Sequence, residues 1–160
     1  MVGPIRFSAG RDTFDNRPEQ LVAEDFGDFI AYTEAHRGVK KGLNYFCGPM
    51  SFGPHDNRNK YPDEANYRLA SHAEPCSFLS LDIDYMDGEQ VQNLILEEVQ
   101  RLPSYAFETA SSTIDVPRMR LIVELDREVD RDERLNVGAG FESRLNEAVQ
   151  KKFGSGSIEF

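Results

Sequence analysis

Two aspartates stand two residues apart at the end of one alternating run, Ser77–Asp84 (SFLSLDID). Two arginines stand two apart at the start of another, Arg118–Leu125 (RMRLIVEL). Side chains alternate across a β-strand. Leu79, Leu81 and Ile83 therefore share one face of the first run, and Phe78, Ser80, Asp82 and Asp84 share the other. In the second run Met119, Leu121, Val123 and Leu125 form the apolar face, opposite Arg118, Arg120, Ile122 and Glu124. Carboxylates at this spacing have Cα atoms roughly 6.5–7 Å apart. Their oxygens can converge on one cation, and without one they repel. Hard carboxylates suit Mg²⁺ or Mn²⁺, which keep waters and accept phosphate oxygens. Guanidinium forks match phosphate. A metal ion held by such a carboxylate pair, beside an arginine pair on an open sheet, is the chemistry of a triphosphate site. The same residues also suit a surface lattice of Asp–Arg ion pairs, which contributes little to stability. Periodicity alone leaves both readings open.

The surrounding elements must bring these groups together. Gly88–Leu102 carries Val91, Leu94, Ile95, Val99 and Leu102 on one helical face and stops at Pro103. Tyr105–Ser111 reads as a strand, with Glu108 expected on the face of the aspartates. Arg131–Lys152 reads as a helix despite Gly138 and Gly140, each costing about 1 kcal/mol. Ser157–Phe160 reads as the start of a last strand. Strand, helix, strand, strand, helix, strand is the split βαβ order. The expected fold is α+β: an RRM/ferredoxin-like βαββαβ palm core over residues 76–160, truncated at its last strand. Right-handed crossovers put Arg118–Leu125 beside Ser77–Asp84, antiparallel, at the sheet centre. Residues 1–75 form an N-terminal α/β extension expected to pack on that core. There Pro18–His36 reads as a helix, from Pro18 in the first turn and Leu21, Val22, Phe26, Phe29 and Ile30 at helical spacing. Leu43–Cys47 reads as a strand, and Gly48–Asn66 as a long functional or mobile loop.

Composition limits the alternatives. The 160 residues carry a net charge of −10, so a broadly basic nucleic-acid-binding domain is excluded. Any contact with DNA or RNA must be local, through a few arginines or a bound cation. Much of the acid lies in Glu124–Arg134, where six carboxylates alternate with three arginines, as on a solvated loop and helix start. No apolar run approaches the ~18 residues of a membrane span. The N-terminus lacks the apolar core of a secretory signal. Cys47 and Cys76 fit free thiols in the cytoplasm. Three scattered histidines, with no His-x-His pair, exclude a Cys/His zinc site and a His-ligated nickase. Lys40 and Lys41 suit a solvated pair or a phosphate contact, and Tyr45 and Phe46 suit packing or base stacking. VGAGF at 137–141 lies inside a helix and follows no strand, so it is not a dinucleotide fingerprint.

SFLSLDIDYMDG, a helix, and then YAFETASSTIDVPRMRLIVELDREVDRDE form an ordered series. That series resembles the primase-polymerase domain of phage and plasmid replication proteins, in the archaeo-eukaryotic primase superfamily. KGLNYFCGP and the region of Arg68 are similar to the family's N-terminal module, so the resemblance covers about residues 40–160. It implies a palm-like nucleotidyltransferase, a DNA primase or polymerase, working with Mg²⁺ or Mn²⁺ on a nucleoside triphosphate and a DNA template, beside further domains of the same replication protein. Asp82 and Asp84 match the family's first carboxylate motif and are the implied catalytic and metal-binding residues. Arg118 and Arg120 fall where the triphosphate is bound, and Ser111 and Ser112 match the serine-rich approach to that strand. Two departures stand out. The histidine that often follows serine in the second motif is missing. The third motif, an aspartate on the fourth strand, lies beyond Glu159–Phe160, so the chain is expected to be a fragment, poorly active alone. The competing expectations are a non-catalytic nucleic-acid- or protein-binding module on the same fold, and a metal-dependent nuclease.

Overall fold

The computed structural model describes residues 3–15, 17–37, 42–51, 69–86, 89–154 and 158–160. Lys40, Lys41, His55, Arg68, Asp87, Gly88 and most of the stretch 48–66 lie outside the described residues. Among the described residues the fold is α+β, with three α-helices and antiparallel sheets. The chain divides into two compact units. The first comprises Met1–Ser77 and Asp126–Arg131, and the second Phe78–Leu125 and Asp132–Phe160. No helix among the described residues is long and apolar enough to cross a membrane.

In the first unit, strands β1 (Ile5–Asp12), β2 (Glu19–Ala23) and β3 (Leu43–Cys47) form a sheet in the order β2-β1-β3, followed in chain order after β2 by helix α1 (Phe26–His36). The expected helix over Pro18–His36 is corrected here, since its first third is a strand. Leu21 stands opposite Phe7 and Gln20 opposite Ser8 in the antiparallel pairing with β1. The Gln20 side-chain amide donates to the buried Ser8 hydroxyl at 2.6 Å, which anchors that register. The helix begins only after Asp25, whose carboxylate accepts the backbone N–H of Asp28 at 2.9 Å. Phe29 then packs 4.8 Å from Phe7 and edge-on to Phe46. Phe46 is thus a packing residue.

Tyr45 is one too. Gly10 faces it across β1 and β3, and the Tyr45 ring lies where a Cβ on Gly10 would stand. The Tyr45 hydroxyl donates to the Asp15 carbonyl. The turn after β1 is held by Asp15 itself. Its carboxylate accepts the backbone N–H groups of Arg11 and Arg17, each at 3.0 Å. Arg6 forms a double ion pair with Glu74 and Glu128, at 2.8 and 3.0 Å, which ties the 126–131 segment into this unit.

The second unit holds β4 (Cys76–Ile83) from Phe78 onward, β5 (Tyr85–Met86), helix α2 (Glu89–Val99) and β6 (Ser104–Glu108). It also holds β7 (Met119–Val129) up to Leu125, α3 (Arg131–Phe153) from Asp132, and β8 (Ile158–Glu159). β4, β7 and β6 form a sheet in that order, with β7 central. Leu79, Leu81 and Ile83 of β4 and Met119, Leu121 and Val123 of β7 share one core with Val91, Leu94, Ile95 and Val99 of α2 and Leu145 and Val149 of α3. Both helices therefore cover the face that the alternation marked as apolar. α3 runs unbroken through its two glycines. Gly138 is buried there, and a Cβ on it would meet Leu79 and Leu81 at ordinary contact distance. β8 pairs antiparallel with β5, and Asp84 N–H donates to Glu159 O at 2.8 Å.

Two outcomes are expected. Gly10→Ala drives a methyl into a rigid, hydrogen-bonded aromatic ring and lowers stability by about 1–3 kcal/mol in urea unfolding. Asp15 sits below the ordinary carboxylate range, chiefly because of the Arg11 backbone N–H and then that of Arg17. A depressed folded value means its contribution is complete above the unfolded value of about 3.9 and is lost as pH falls through the folded one. Asp15→Asn therefore lowers stability at neutral pH and flattens the acid limb of the stability profile, read by circular dichroism.

Candidate functional site

β4 and β7 each bury one face against the helices, so the polar residues between the apolar ones project from the other face. Arg120 of β7 grips Asp82 of β4 in a fork. Nε donates to Oδ1 at 2.5 Å and a terminal nitrogen donates to Oδ2 at 2.7 Å. Arg118 approaches Asp84 more loosely, at 3.8 Å. The partners step outward along β4 as they step back along β7, as antiparallel neighbours do. The structure thus brings all four groups together on one face, as the alternation anticipated.

That face is not uniformly open. Phe78 and Ile122, at its inner end, are 2% and 0% exposed. At the outer end the carboxylate side chains of Asp82 and Asp84 are 50% and 64% exposed, and those of Arg120 and Arg118 are 29% and 35%. The polar cluster is therefore a half-solvated patch bordered by an apolar shelf. Such ion pairs are modest contributors to stability, because water screens them. Their worth lies in positioning.

β6 completes the face, and here one expectation is corrected. Glu108 stands opposite Met119, on the helix-covered side, and so points away from the aspartates. Phe107 stands opposite Arg120 and Tyr105 opposite Ile122. The residues that share the face of the arginines are thus Tyr105 and Phe107, whose rings lie 5.5 Å apart. Tyr105, Ala106 and Phe107 run together as apolar or aromatic residues, so the phase of β6 could not be read without the β7 register. Tyr105 Oη and Arg118 Nε are both buried with no hydrogen-bond partner among the described residues. A buried donor left unpaired is costly. At 3.8 Å, Arg118 is not held to its aspartate by a hydrogen bond.

Ser111 and Ser112 lie in the connection from β6 to β7. Thr109 N–H donates to Arg118 O at 3.1 Å and Ser112 N–H to Thr109 O at 2.9 Å. Ser112 Oγ accepts the backbone N–H of Arg118 at 3.0 Å, and Ser111 Oγ lies 3.3 Å from Thr109 Oγ1. Ser112 thus fixes the backbone from which Arg118 projects. His72 belongs to the short 3₁₀ turn Ala70–His72 of the first unit, and His36 stacks on Tyr32.

The donor chemistry suits a hard divalent cation. Asp82 and Asp84 offer oxygens only, on a face with access to water, and such an ion completes its shell with waters and phosphate oxygens. Among the described residues no group of three or more His, Cys, Asp or Glu could hold an ion by itself. The ligand would have to supply part of the shell. Ser112→Ala removes the acceptor of the Arg118 N–H, and a loss of about 1 kcal/mol is expected, with the Arg118 backbone amide exchanging faster in hydrogen-exchange measurements. Compared with known proteins, the chain matches no family model, no curated protein and no solved structure.

Proposed function

We propose that this chain is the palm-like domain of a metal-dependent nucleotidyltransferase, a DNA primase-polymerase of the kind carried by mobile-element replication proteins. One observation carries the reading: two carboxylates and two guanidinium groups, from neighbouring strands, occupy one half-solvated face. A palm needs that combination. The strand arrangement supports it as well. β8 runs beside the continuation of β4 through the Asp84–Glu159 hydrogen bond. Taken with the β4-β7-β6 sheet, this supports reading the unit as an RRM/ferredoxin-like sheet with both helices on one face.

In this reading Asp82 and Asp84 hold Mg²⁺ or Mn²⁺, which supplies activation of a 3′-hydroxyl and neutralises the departing pyrophosphate. Arg118 and Arg120 take oxygens of the nucleoside triphosphate, which guanidinium forks bind in defined orientation. Ser112 holds Arg118 in place through its backbone, and Ser111 stands in the same turn. The protein's acidity fits: the charge needed for a polyphosphate is concentrated at one spot rather than spread over a basic surface. The partners that follow are a triphosphate, a DNA template and further domains of the same replication protein, acting in the cytoplasm.

A second reading draws on the fork itself. Asp82 and Arg120 satisfy each other, as they would in a non-catalytic nucleic-acid- or protein-binding module that uses the same sheet. One experiment separates the two. Extension of a primer on a single-stranded template is measured with Mn²⁺ and deoxynucleoside triphosphates, alongside calorimetric binding of the triphosphate. The nucleotidyltransferase reading expects triphosphate binding that requires Mn²⁺. It also expects the combined Asp82→Asn and Asp84→Asn variant to lose about a hundredfold or more of any extension activity. Binding and extension that are indifferent to the cation and to both substitutions would reject it.

A further inference from the structure

Arg120 uses both oxygens of Asp82. These are the oxygens a cation would need, and the nitrogens donating to them are the ones a phosphate would need. Each group thus stands in for the other's ligand. Resting on the nucleotidyltransferase reading, we propose that Asp82 and Arg120 form an exchange pair that makes the cation and the triphosphate bind interdependently. Alone, the cation must take Asp82 from Arg120 and break the bidentate fork. Alone, the triphosphate must take Arg120 from Asp82 and leave a carboxylate without its cation. Together, each ligand satisfies the group that the other displaces. The coupling is reciprocal, because each ligand raises affinity for the other by the same factor.

The two ion pairs are not equivalent, which gives the idea its discriminating feature. The Arg120–Asp82 fork is short and bidentate, a geometry that strengthens a charge-assisted bond. Arg118 lies 3.8 Å from Asp84, beyond a hydrogen bond. Arg118 is therefore available to a phosphate without breaking a tight contact, and Asp84 is available to a cation in the same way. The exchange is concentrated at Asp82 and Arg120. Screened charge alone would give each arginine a similar effect on a cation held between two neighbouring carboxylates.

Arg120 is a positioning and binding residue in this scheme, and its removal has opposite effects on the two ligands. The experiment uses the full chain. Binding of Mn²⁺ without nucleotide is followed by the electron-paramagnetic resonance of the free ion, in the parent, Arg120→Gln and Arg118→Gln. Binding of deoxyadenosine triphosphate in EDTA is followed by calorimetry, in the parent, Asp82→Asn and Asp84→Asn. Melting curves establish that each variant is folded. The expected result is that Arg120→Gln tightens Mn²⁺ binding by about tenfold, within the usual range of coupling energies, and clearly more than Arg118→Gln. Asp82→Asn tightens metal-free triphosphate binding more than Asp84→Asn does. In the parent, Mn²⁺ and triphosphate each strengthen the other.

Equal gains from the two arginine variants, or weaker Mn²⁺ binding in Arg120→Gln, overturn the exchange while the parent's joint binding of both ligands keeps the nucleotidyltransferase reading standing. Should one arginine variant fail to fold, the two aspartate variants decide by the same comparison. A parent that binds no triphosphate even with Mn²⁺ rejects both the exchange and the reading beneath it.

Discussion

The arrangement of this protein's polar face depends on the burial of the opposite one. Leu79, Leu81 and Ile83 on β4, and Met119, Leu121 and Val123 on β7, lie under α2 and α3 with exposures of 6% or less. A one-residue slip of either strand would push Asp82 or Arg120 into that core, and an unpaired buried charge costs far more than any gain from a new contact. The core therefore sets the register, and the register sets which carboxylate meets which guanidinium. The Asp82–Arg120 fork itself is half-solvated and adds little to stability. The apolar layer does the positioning, and the polar layer is what it positions.

The same logic decides what could be read from the residues alone. β4, β7 and α2 were legible because each has one buried and one solvated face, so hydrophobicity follows the period of the backbone. The faces of Asp82, Asp84, Arg118 and Arg120 came from that period directly. β1 was not legible. In Ile5–Asp12 the buried set includes Ser8, and Gly10 is buried because the Tyr45 ring covers it. Neither burial announces itself as hydrophobic. β2 was mistaken for a helix start because Leu21, Val22, Phe26 and Phe29 fit a 3.6-residue period as well as a strand followed by a helix. The deciding residue was Asp25, a capping carboxylate whose role shows only once the Asp28 N–H is seen to reach it. In β6 three apolar or aromatic residues run together, so only pairing with β7 reveals that Phe107, and not Glu108, joins the arginines.

The serines show a different limit. The resemblance put Ser111 and Ser112 on the approach to the arginine strand, and there Ser112 spends its oxygen on the Arg118 backbone. A short polar side chain in a tight connection has local backbone groups within reach, and these commonly win. The consequence is indirect but real, because the strand carrying Arg118 begins at a fixed point. Positioning through the main chain cannot be distinguished from direct contact by spacing alone.

The net charge bears on how such a face could work. With −10 overall, the protein offers a polyphosphate no long-range attraction, and at physiological salt fields fade over about 8 Å in any case. In the proposed nucleotidyltransferase reading, binding must then come from contacts made at arrival. In the fork the arginine charge is already cancelled by Asp82, so the patch presents little net field to an anion approaching without a cation. A metal-bound triphosphate is different. It carries less negative charge and brings a group for the carboxylates along with groups for the guanidinium. In the proposed reading, an acidic protein with paired charges on one sheet face would select the metal complex over the free nucleotide, and its overall acidity would reinforce that preference instead of opposing it.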